Sequence, residues 1–375
     1  MEQIRTLFFL AADQPLIYIC ESYNFKIIRT FLILYIISSI LVWDGNYRRV
    51  KELNRDKVIG NLLLLLTSII WGSAFVAQRV GMDFVDPFTF NGARFALSAL
   101  VLIPVIGIMR GLDERKREKQ LRETETALAE TSGLKERDLK ERTAQKKTLI
   151  KAGIICGSIL FCGSTLQQFG LVFTTAGKAG FITALYILLV PIFSLVIKHK
   201  PGLKCWIGVA FGSTGLYLLC ITESFTIAPG DLIVLVGAGF WALHLLVIDY
   251  FLPRISDAVK LSFLQFAVCA VFSLIAALFF EEISMQSLMQ AAIPILYAGV
   301  LSGGVGFTLQ IVGQRHTNPT VASLLLSMEA VFGAVFGFLI LKEIMTQREL
   351  MGCAFMFLAI VISQLPDKKK PKCIS

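Results

Sequence analysis

Three ionisable side chains lie inside long apolar stretches of this sequence, and their chemistry is the first feature to interpret. They are Glu329, Arg94 and His244. An ionisable group is costly in an apolar surrounding, so each is by default a candidate for binding or proton transfer. A carboxyl at depth suits proton transfer, because burial favours its neutral form. A structural hydrogen bond or ion pair to a neighbouring helix explains Glu329 equally well.

Arg94 and His244 also allow two interpretations each. Arg94 could attract an anionic group of a solute or pair with Glu329, or it could extend along its helix to the polar boundary. His244 could bind a solute or relay protons near neutral pH. A histidine that only packs and hydrogen-bonds explains the same position. The residue types alone do not choose between these interpretations.

Aromatic and amide side chains in the same stretches form a second group of candidates. Trp71 and Trp241 could line a cavity that favours apolar or aromatic solutes, although packing is the commoner role of tryptophan. The amides of Gln78, Gln167 and Gln310 could line the same cavity or hydrogen-bond neighbouring helices.

Proline and glycine predict where the helices bend. Pro191 removes a backbone hydrogen bond from its helix, and such breaks often mark moving or binding segments. Gly303 and Gly304 permit bending and the close approach of another helix.

The motifs of several other chemistries are missing. The sequence has three histidines and contains neither an HExxH metal motif nor a GxxxxGK[ST] phosphate loop. Its eight cysteines lie mostly in apolar stretches without CxxC spacing, so we interpret them as packing residues. We therefore expect no metal and no cofactor, and an intramembrane enzyme is a weak alternative. A channel is disfavoured because no ring-forming filter motif is present.

Long apolar helices must carry these residues. The 375 residues are 55% hydrophobic and only 17% charged, and the mean hydropathy is +0.70. Stretches of about 20 apolar residues can cross about 30 Å of hydrocarbon as helices, whereas the alternation typical of membrane strands is missing. The sequence therefore predicts an all-α integral membrane protein with ten transmembrane helices. They are expected near 58–79, 88–108, 150–171, 180–197, 203–221, 231–250, 260–279, 291–312, 319–340 and 350–365.

The ten helices are predicted to form two repeats of five. Residue types of the two halves coincide at an offset of 143, as in Gln167/Gln310, and nearer the start of each half at 170, as in Trp71/Trp241. Because five is odd, the second repeat must be inverted relative to the first. Inverted repeats are typical of secondary transporters, whose substrate site lies at the repeat interface.

The repeat also predicts which residues meet at its centre. At the offset of 143, Tyr186 on the fourth helix corresponds to Glu329 on the ninth. We expect these two side chains and His244 to meet at the repeat interface.

The chain divides into four parts on these patterns. The repeats are residues 58–221, which carry a charged insertion at 109–149, and residues 222–365; a basic tail, 366–375, follows. Residues 1–57 are an accessory segment with an apolar stretch at 30–43. This additional N-terminal segment could be an extra span, an interfacial helix or an extension upstream of the true start.

Charge in the intervals between helices predicts an orientation. The net charge is +9, and 28 of the 36 Lys and Arg residues fall on one side of the predicted membrane against four on the other. Positive residues favour the cytoplasm, so both the insertion at 109–149 and the C-terminus are predicted to be cytoplasmic. Membrane orientation accounts for the charge without a nucleic-acid partner.

Several motifs together resemble the EamA family of the drug/metabolite transporter superfamily, over about residues 58–365. They are Trp71–Arg79 (WGSAFVAQR), Asn91–Phe95 (NGARF), Gln167–Leu171 (QQFGL), Thr174–Thr183 (TTAGKAGFIT), Leu189–Pro191 (LVP), Ser327–Phe332 (SMEAVF) and Lys342–Glu343. Two positions depart from the family pattern, since Ala330 replaces a usual proline and Lys342 a usual glycine.

The resemblance implies a secondary transporter in the bacterial plasma membrane. It would export or exchange a small organic metabolite, amino-acid-like or drug-like, by alternating access. Protons are the expected coupling ion, a hypothesis that depends on Glu329 and His244. A carrier of nucleotide-linked or lipid-linked sugars, which uses a similar ten-helix fold, is the alternative within the superfamily. The expected partners are the solute, the lipid bilayer and protons, and the sequence leaves a homodimer open.

Overall fold

The computed structural model describes residues 48–124, 132–174, 176–196, 201–220, 229–255, 257–341 and 346–364. Within these ranges the regular elements are helical. Two sequence predictions, the apolar segment at 30–43 and the basic tail at 366–375, lie outside the described residues. The chain from Asp56 onward forms one compact unit.

The helices fall where the apolar stretches predict them. The polar N–H and C=O groups of a backbone in hydrocarbon must hydrogen-bond to each other, which a helix achieves within one segment. The elements are α1 (Arg48–Gly81), α2 (Pro87–Thr124), α3 (Ser132–Phe173), α4 (Ala176–Ala184), α5 (Tyr186–Val196), α6 (Leu203–Cys220), α7 (Pro229–Phe251), α8 (Ala258–Phe280), α9 (Met285–Gln290), α10 (Ala292–Leu296), a π-helical segment (Tyr297–Phe307), α11 (Thr308–Gln314), α12 (Pro319–Leu326), α13 (Glu329–Leu341) and α14 (Gln347–Gln364).

Length and hydropathy identify a multi-pass membrane protein. Seven of the described helical stretches are long and apolar enough to cross a membrane, and two shorter ones, Pro319–Gly333 and Leu350–Ile362, are also apolar. In the bundle, α6 packs against α14, α7 against α3, and α8 against both α2 and α3.

Two predicted spans are interrupted. The chain turns at Leu185, between α4 and α5, and again at Ser327–Met328, between α12 and α13. Both turns are closed by backbone hydrogen bonds of the tighter i to i−3 type, such as Leu185 N to Ile182 O and Met328 N to Leu325 O. Pro191, where the sequence predicts a break, lies inside the continuous α5.

A close helix crossing occurs at the start of α7. At its first turn a Cβ added to Gly230 would lie 2.9 Å from the Gly170 carbonyl oxygen, and Thr174 Oγ1 donates to Asp231 Oδ1 at 2.6 Å. We call this contact the Asp231 closure. It joins the start of α7 to the end of α3.

A matching crossing joins α1 to the segment after α11. A Cβ on Gly60 would lie 2.8 Å from the Gly313 carbonyl oxygen, and Thr317 Oγ1 donates to Asn61 Oδ1 at 2.9 Å. We call this contact the Asn61 closure. Nearby, Gln314 Nε2 donates to Leu245 O, 14 residues along α7 from Asp231, which corresponds to about 21 Å of helix. The two closures therefore lie toward opposite ends of the bundle.

Candidate functional site

A small cavity lies between the two closures and brings most of the predicted site residues together. Its volume is about 40 Å³, which is space for a few water molecules. Eight of the nine candidate residues named from the sequence line it: Trp71, Gln78, Arg94, Gln167, Gln310, Tyr186, Trp241 and Glu329. Several helices contribute to the lining, some through residues in their middle and others through residues at their ends.

The two interrupted helices meet at this cavity through Tyr186 and Glu329. Tyr186 is the first residue of α5 and Glu329 the first residue of α13. Both side chains are buried, and the Tyr186 hydroxyl donates to Glu329 Oε1 at 3.0 Å. The contact predicted from the repeat offset is therefore present. It places a carboxyl next to the cavity with a neutral hydroxyl as its hydrogen-bond donor.

Arg94 lies in the same wall, and its charge is not neutralised by a described carboxylate. Its Nη1 donates to Gln78 Oε1 at 2.7 Å, and the guanidinium stacks on Phe95, 4.7 Å from the ring centroid. Within the described residues its Nε has no hydrogen-bond partner. The side chain is 5% exposed, so it is held inside the protein. The ion pair with Glu329 that the sequence allowed is replaced by the bond to Gln78.

Three aromatic rings form the apolar side of the cavity. Trp71 and Trp241 lie with their ring centroids 6.5 Å apart, and Phe307 packs against both, at 4.6 Å from Trp71 and 5.9 Å from Trp241. The Trp71 indole donates to Ser302 O at 3.2 Å. The indole N–H of Trp241 has no partner among the described residues.

The amides differ in how well they are satisfied. Gln167 Nε2 donates to Thr183 Oγ1 at 3.3 Å, and Gln310 Nε2 donates to Gln314 Oε1 at 3.1 Å. The side-chain amide oxygen of Gln310 is buried and has no hydrogen-bond partner in the described part of the chain. A buried acceptor of this kind lowers the stability of the protein unless a solute or a water molecule donates a hydrogen bond to it.

His244 does not join Tyr186 and Glu329. It is 1% exposed and absent from the cavity lining, and its Nε2 lies 3.0 Å from Gln265 Oε1 on α8. Its ring meets Trp241 and Phe307 edge to face. The prediction that His244 meets the other two is therefore wrong, because these two aromatic rings pack between it and the cavity.

The predicted glycine hinge lies in the π-helical segment. A Cβ on Gly303 would lie 1.9 Å from Ser98 Oγ, whereas one on Gly304 would have its nearest neighbour at 3.6 Å. Position 303 therefore requires glycine, because α2 approaches it too closely for a larger residue. Ser98 Oγ bridges the helices by donating to Arg94 O and Gly299 O at 2.7 and 2.8 Å.

Six further lining residues were not singled out as candidates from the sequence. They are Phe75, Thr183, Leu245, Ser302, Phe307 and Leu326. Thr183 ends the TTAGKAGFIT motif, and Phe307 directly follows the glycine cluster. Position beside a motif was the available signal, but neither a phenylalanine nor a threonine is distinctive in an apolar helix.

Comparison with known proteins matches nearly the whole helical region. The profile of the EamA-like transporter family matches residues 58–221 and again 228–364. An uncharacterized transporter of Archaeoglobus fulgidus is 29% identical over 332 residues, covering 87% of this chain and 91% of the relative. The uncharacterized transporter YoaV of Bacillus subtilis is 24% identical over 300 residues, covering 77% and 91%.

A solved crystal structure shares the fold. It superposes with a TM-score of 0.61 at 16% sequence identity and covers 81% of this chain and 96% of its own. The family profile matches well over half of the sequence in two blocks, and the relatives are named as transporters. The chain belongs to the EamA-like transporter family.

Proposed function

We propose that this protein is a secondary transporter that moves a small amino-acid-like solute through the central cavity by alternating access. The observation that carries the proposal is the burial of Arg94 and Glu329 at one cavity between two closures. Buried ionisable groups in spans are expensive and mark solute or ion pathways. The proposed setting is a plasma membrane, with ten spans and a cytoplasmic C-terminus.

The paired contacts support two inverted five-helix repeats. Gly60 and Asn61 precede Gly230 and Asp231 by 170 residues, while Gly170 and Thr174 precede Gly313 and Thr317 by 143. These are the two offsets found in the sequence, and they link residues that make the same contact at opposite ends. Tyr186 and Glu329 are also 143 apart and touch each other, as expected for equivalent residues beside a two-fold axis. The two blocks matched by the family profile agree with this division.

The π-helical segment accounts for a shift in the offset. A Cβ on Gly157 would meet Gln265 O at 2.8 Å, and a Cβ on Gly299 would meet Arg94 O at 2.9 Å. These glycines are 142 apart, whereas the later pair Gly163 and Gly306 is 143 apart. One extra residue therefore enters the second repeat between the two positions, and a π-helix accommodates such an insertion.

The size of the cavity supports alternating access. A volume of about 40 Å³ holds water but falls far below the ~300 Å³ at which ligand pockets begin. With both closures formed, a metabolite has room only after one of them opens. We therefore assign this structure to the closed intermediate of the proposed cycle.

The charges of the cavity support a solute that carries both signs. The Arg94 guanidinium has an amide partner and an unpartnered Nε, so it suits a carboxylate. Glu329 suits an ammonium group, and the rings of Trp71, Trp241 and Phe307 suit an apolar side chain. An amino acid or a similar metabolite has these three groups.

Protons are the proposed coupling ion, with Glu329 as their carrier. Glu329 lies in the cavity wall and is hydrogen-bonded by a hydroxyl that remains neutral near pH 7. It can exchange its proton for a solute ammonium, which would link the two movements.

Transport by reconstituted protein tests this function. Solutes are first identified from an efflux panel of amino acids and related metabolites, comparing cells that express the wild type or Arg94→Ala. In proteoliposomes, a pH gradient should accelerate transport of the identified solute by the wild type and by the control Glu282→Gln, whose side chain is exposed. Glu329→Gln should lose that acceleration. A Glu329→Gln variant that still responds to the gradient would falsify the proton role.

A further inference from the structure

A second recess lies away from the central cavity, where α2, α3 and α8 meet. Its volume is about 640 Å³, within the ~300–1,000 Å³ that is usual for small-molecule sites. None of its lining residues belongs to the central cavity. The proposed transport cycle assigns it no role.

The walls of this recess are apolar and open to the outside of the bundle. Each helix supplies two large side chains: Ile103 and Ile106 from α2, Leu149 and Ile150 from α3, and Phe263 and Leu264 from α8. Ile103 is 51% exposed and Ile150 43% exposed. Because these helices are apolar and long enough to span a membrane, these exposed side chains would lie against the hydrocarbon of the bilayer.

The rim of the recess is polar, and its lining residues include two lysines and one aspartate. Lys260 Nζ lies 2.9 Å from Asp257 Oδ2, and Asp257 Oδ1 also accepts from Lys260 N at the start of α8. That carboxylate is therefore engaged. Lys146, on the other side of the rim, is exposed and has no ion-pair partner among the described residues.

The order of the residues along the helices places this rim at a membrane boundary. Lys260 lies in the first turn of α8, and Lys146 lies just before the apolar part of α3 that begins at Leu149. The apolar walls continue from there into the span. A cationic rim above an apolar cleft matches a molecule with an anionic head and a hydrocarbon tail.

We infer that this recess binds one anionic phospholipid. Its phosphate lies at Lys146, and one acyl chain runs along Ile103, Ile150 and Phe263. Basic pockets between membrane helices bind anionic headgroups, with about 1 kcal/mol from each lysine near the surface. That energy corresponds to about fivefold in affinity. A neutral lipid would fill the cleft without this gain, and a second copy of the chain would bring another cationic rim against the first.

Lipid titration of the purified full-length protein tests the inference. Phosphatidylglycerol and phosphatidylcholine are added to delipidated protein, and the bound lipids are counted by native mass spectrometry. We expect one phosphatidylglycerol to bind about fivefold more tightly than phosphatidylcholine. Lys146→Gln should reduce this preference to about one, while Ile103→Trp, which fills the cleft, should weaken the binding of both lipids.

Lys151→Gln is the matched control. Lys151 is an exposed lysine on the same helix that does not line the recess, so its loss should leave the preference for phosphatidylglycerol intact. Equal affinity of the wild type for the two lipids would overturn the inference. An equal loss of preference in Lys151→Gln and Lys146→Gln would also overturn it, because it would indicate general surface charge. A dimer that Ile103→Trp dissociates would show that a second copy occupies the recess.

Discussion

The Asp231 and Asn61 closures use the same backbone crossing but differ in charge. In each, two glycines bring the helices together and a threonine donates to the residue after the first glycine. The acceptor is a carboxylate in one closure and an amide in the other. The threonine bond is also shorter at Asp231, 2.6 Å against 2.9 Å at Asn61.

The position of each acceptor in its helix explains this difference. Asp231 lies in the first turn of α7, where unpaired N–H groups and the helix dipole favour a negative charge. Asn61 lies in the interior of α1, which begins at Arg48, so its N–H groups are already used by the helix. An amide meets the threonine there without burying a charge. Equivalent contacts thus need different residues because their helices begin at different places.

Introducing a negative charge at the Asn61 closure should lower the unfolding free energy most. Asn61→Asp would place a carboxylate at a position that is 5% exposed and lacks a helix N-terminus. We expect the unfolding free energy in mixed micelles at pH 7 to fall by about 3 kcal/mol, because a buried uncompensated charge costs about that much. Asn61→Ser, which keeps a neutral acceptor, is the control. An equal loss in both variants would show that shape rather than charge is decisive.

Enlarging the glycines should affect both closures by similar amounts. Gly60→Val and Gly230→Val would each push a side chain against a carbonyl oxygen less than 3 Å from the new Cβ. We expect a loss of about 2 kcal/mol from overpacking in each case, measured as the unfolding free energy. Gly239→Val on α7 is the control, since a Cβ there has no neighbour within 4 Å. If Gly239→Val costs as much, the crossing distance is not the cause.

Removing the threonine hydroxyl should cost more stability at the Asp231 closure than at the Asn61 closure. Thr174→Val takes a donor from a carboxylate and should cost about 2 kcal/mol, while Thr317→Val takes one from an amide and should cost about 1 kcal/mol. The same unfolding measurement, with Thr148→Val as an exposed control on α3, gives the comparison. Equal costs would mean that the charge of Asp231 adds nothing to its bond.

Neutralising the other acceptor should have the smallest effect. Asp231→Asn keeps an oxygen for Thr174 and loses the interaction with the helix N-terminus, which is worth about 0.5 kcal/mol. The unfolding free energy should therefore fall by much less than in Asn61→Asp. A loss of 3 kcal/mol would contradict the account, because it would give the two positions the same need for their native residue.

Two contacts at the cavity were predictable because the residues that make them are separated by the offsets found in the sequence. Trp71 and Trp241 correspond at 170, Tyr186 and Glu329 at 143, and each pair is in contact. Hydropathy located the helices because most residues of a span contact lipid or the apolar interior of the protein and are therefore apolar. The interruption at Leu185 was not predictable from composition, which pointed to Pro191.

His244 shows where this reasoning fails. Its position along α7 brings it close to the cavity-lining rings, but position along a helix does not fix the direction of a side chain around the helix axis. His244 hydrogen-bonds to the side chain of Gln265. The backbone carbonyl of Gln265 lies at the close approach of Gly157, as the backbone carbonyl of Arg94 lies at the close approach of Gly299. It therefore belongs to the contact between α7 and α8, behind Trp241 and Phe307. Only the packing of those rings separates it from the cavity.

The sequence by itself determined the helical membrane class, the positions of the helices, the family and the pairing of Tyr186 with Glu329. These depend on hydropathy and on residue spacing, which are properties of the chain order. The tertiary structure alone decided that Arg94 bonds to Gln78 rather than to Glu329, that His244 is excluded, and that the cavity is about 40 Å³. Those outcomes depend on helix rotation and on contacts between side chains distant in sequence, and neither quantity is encoded in any single segment.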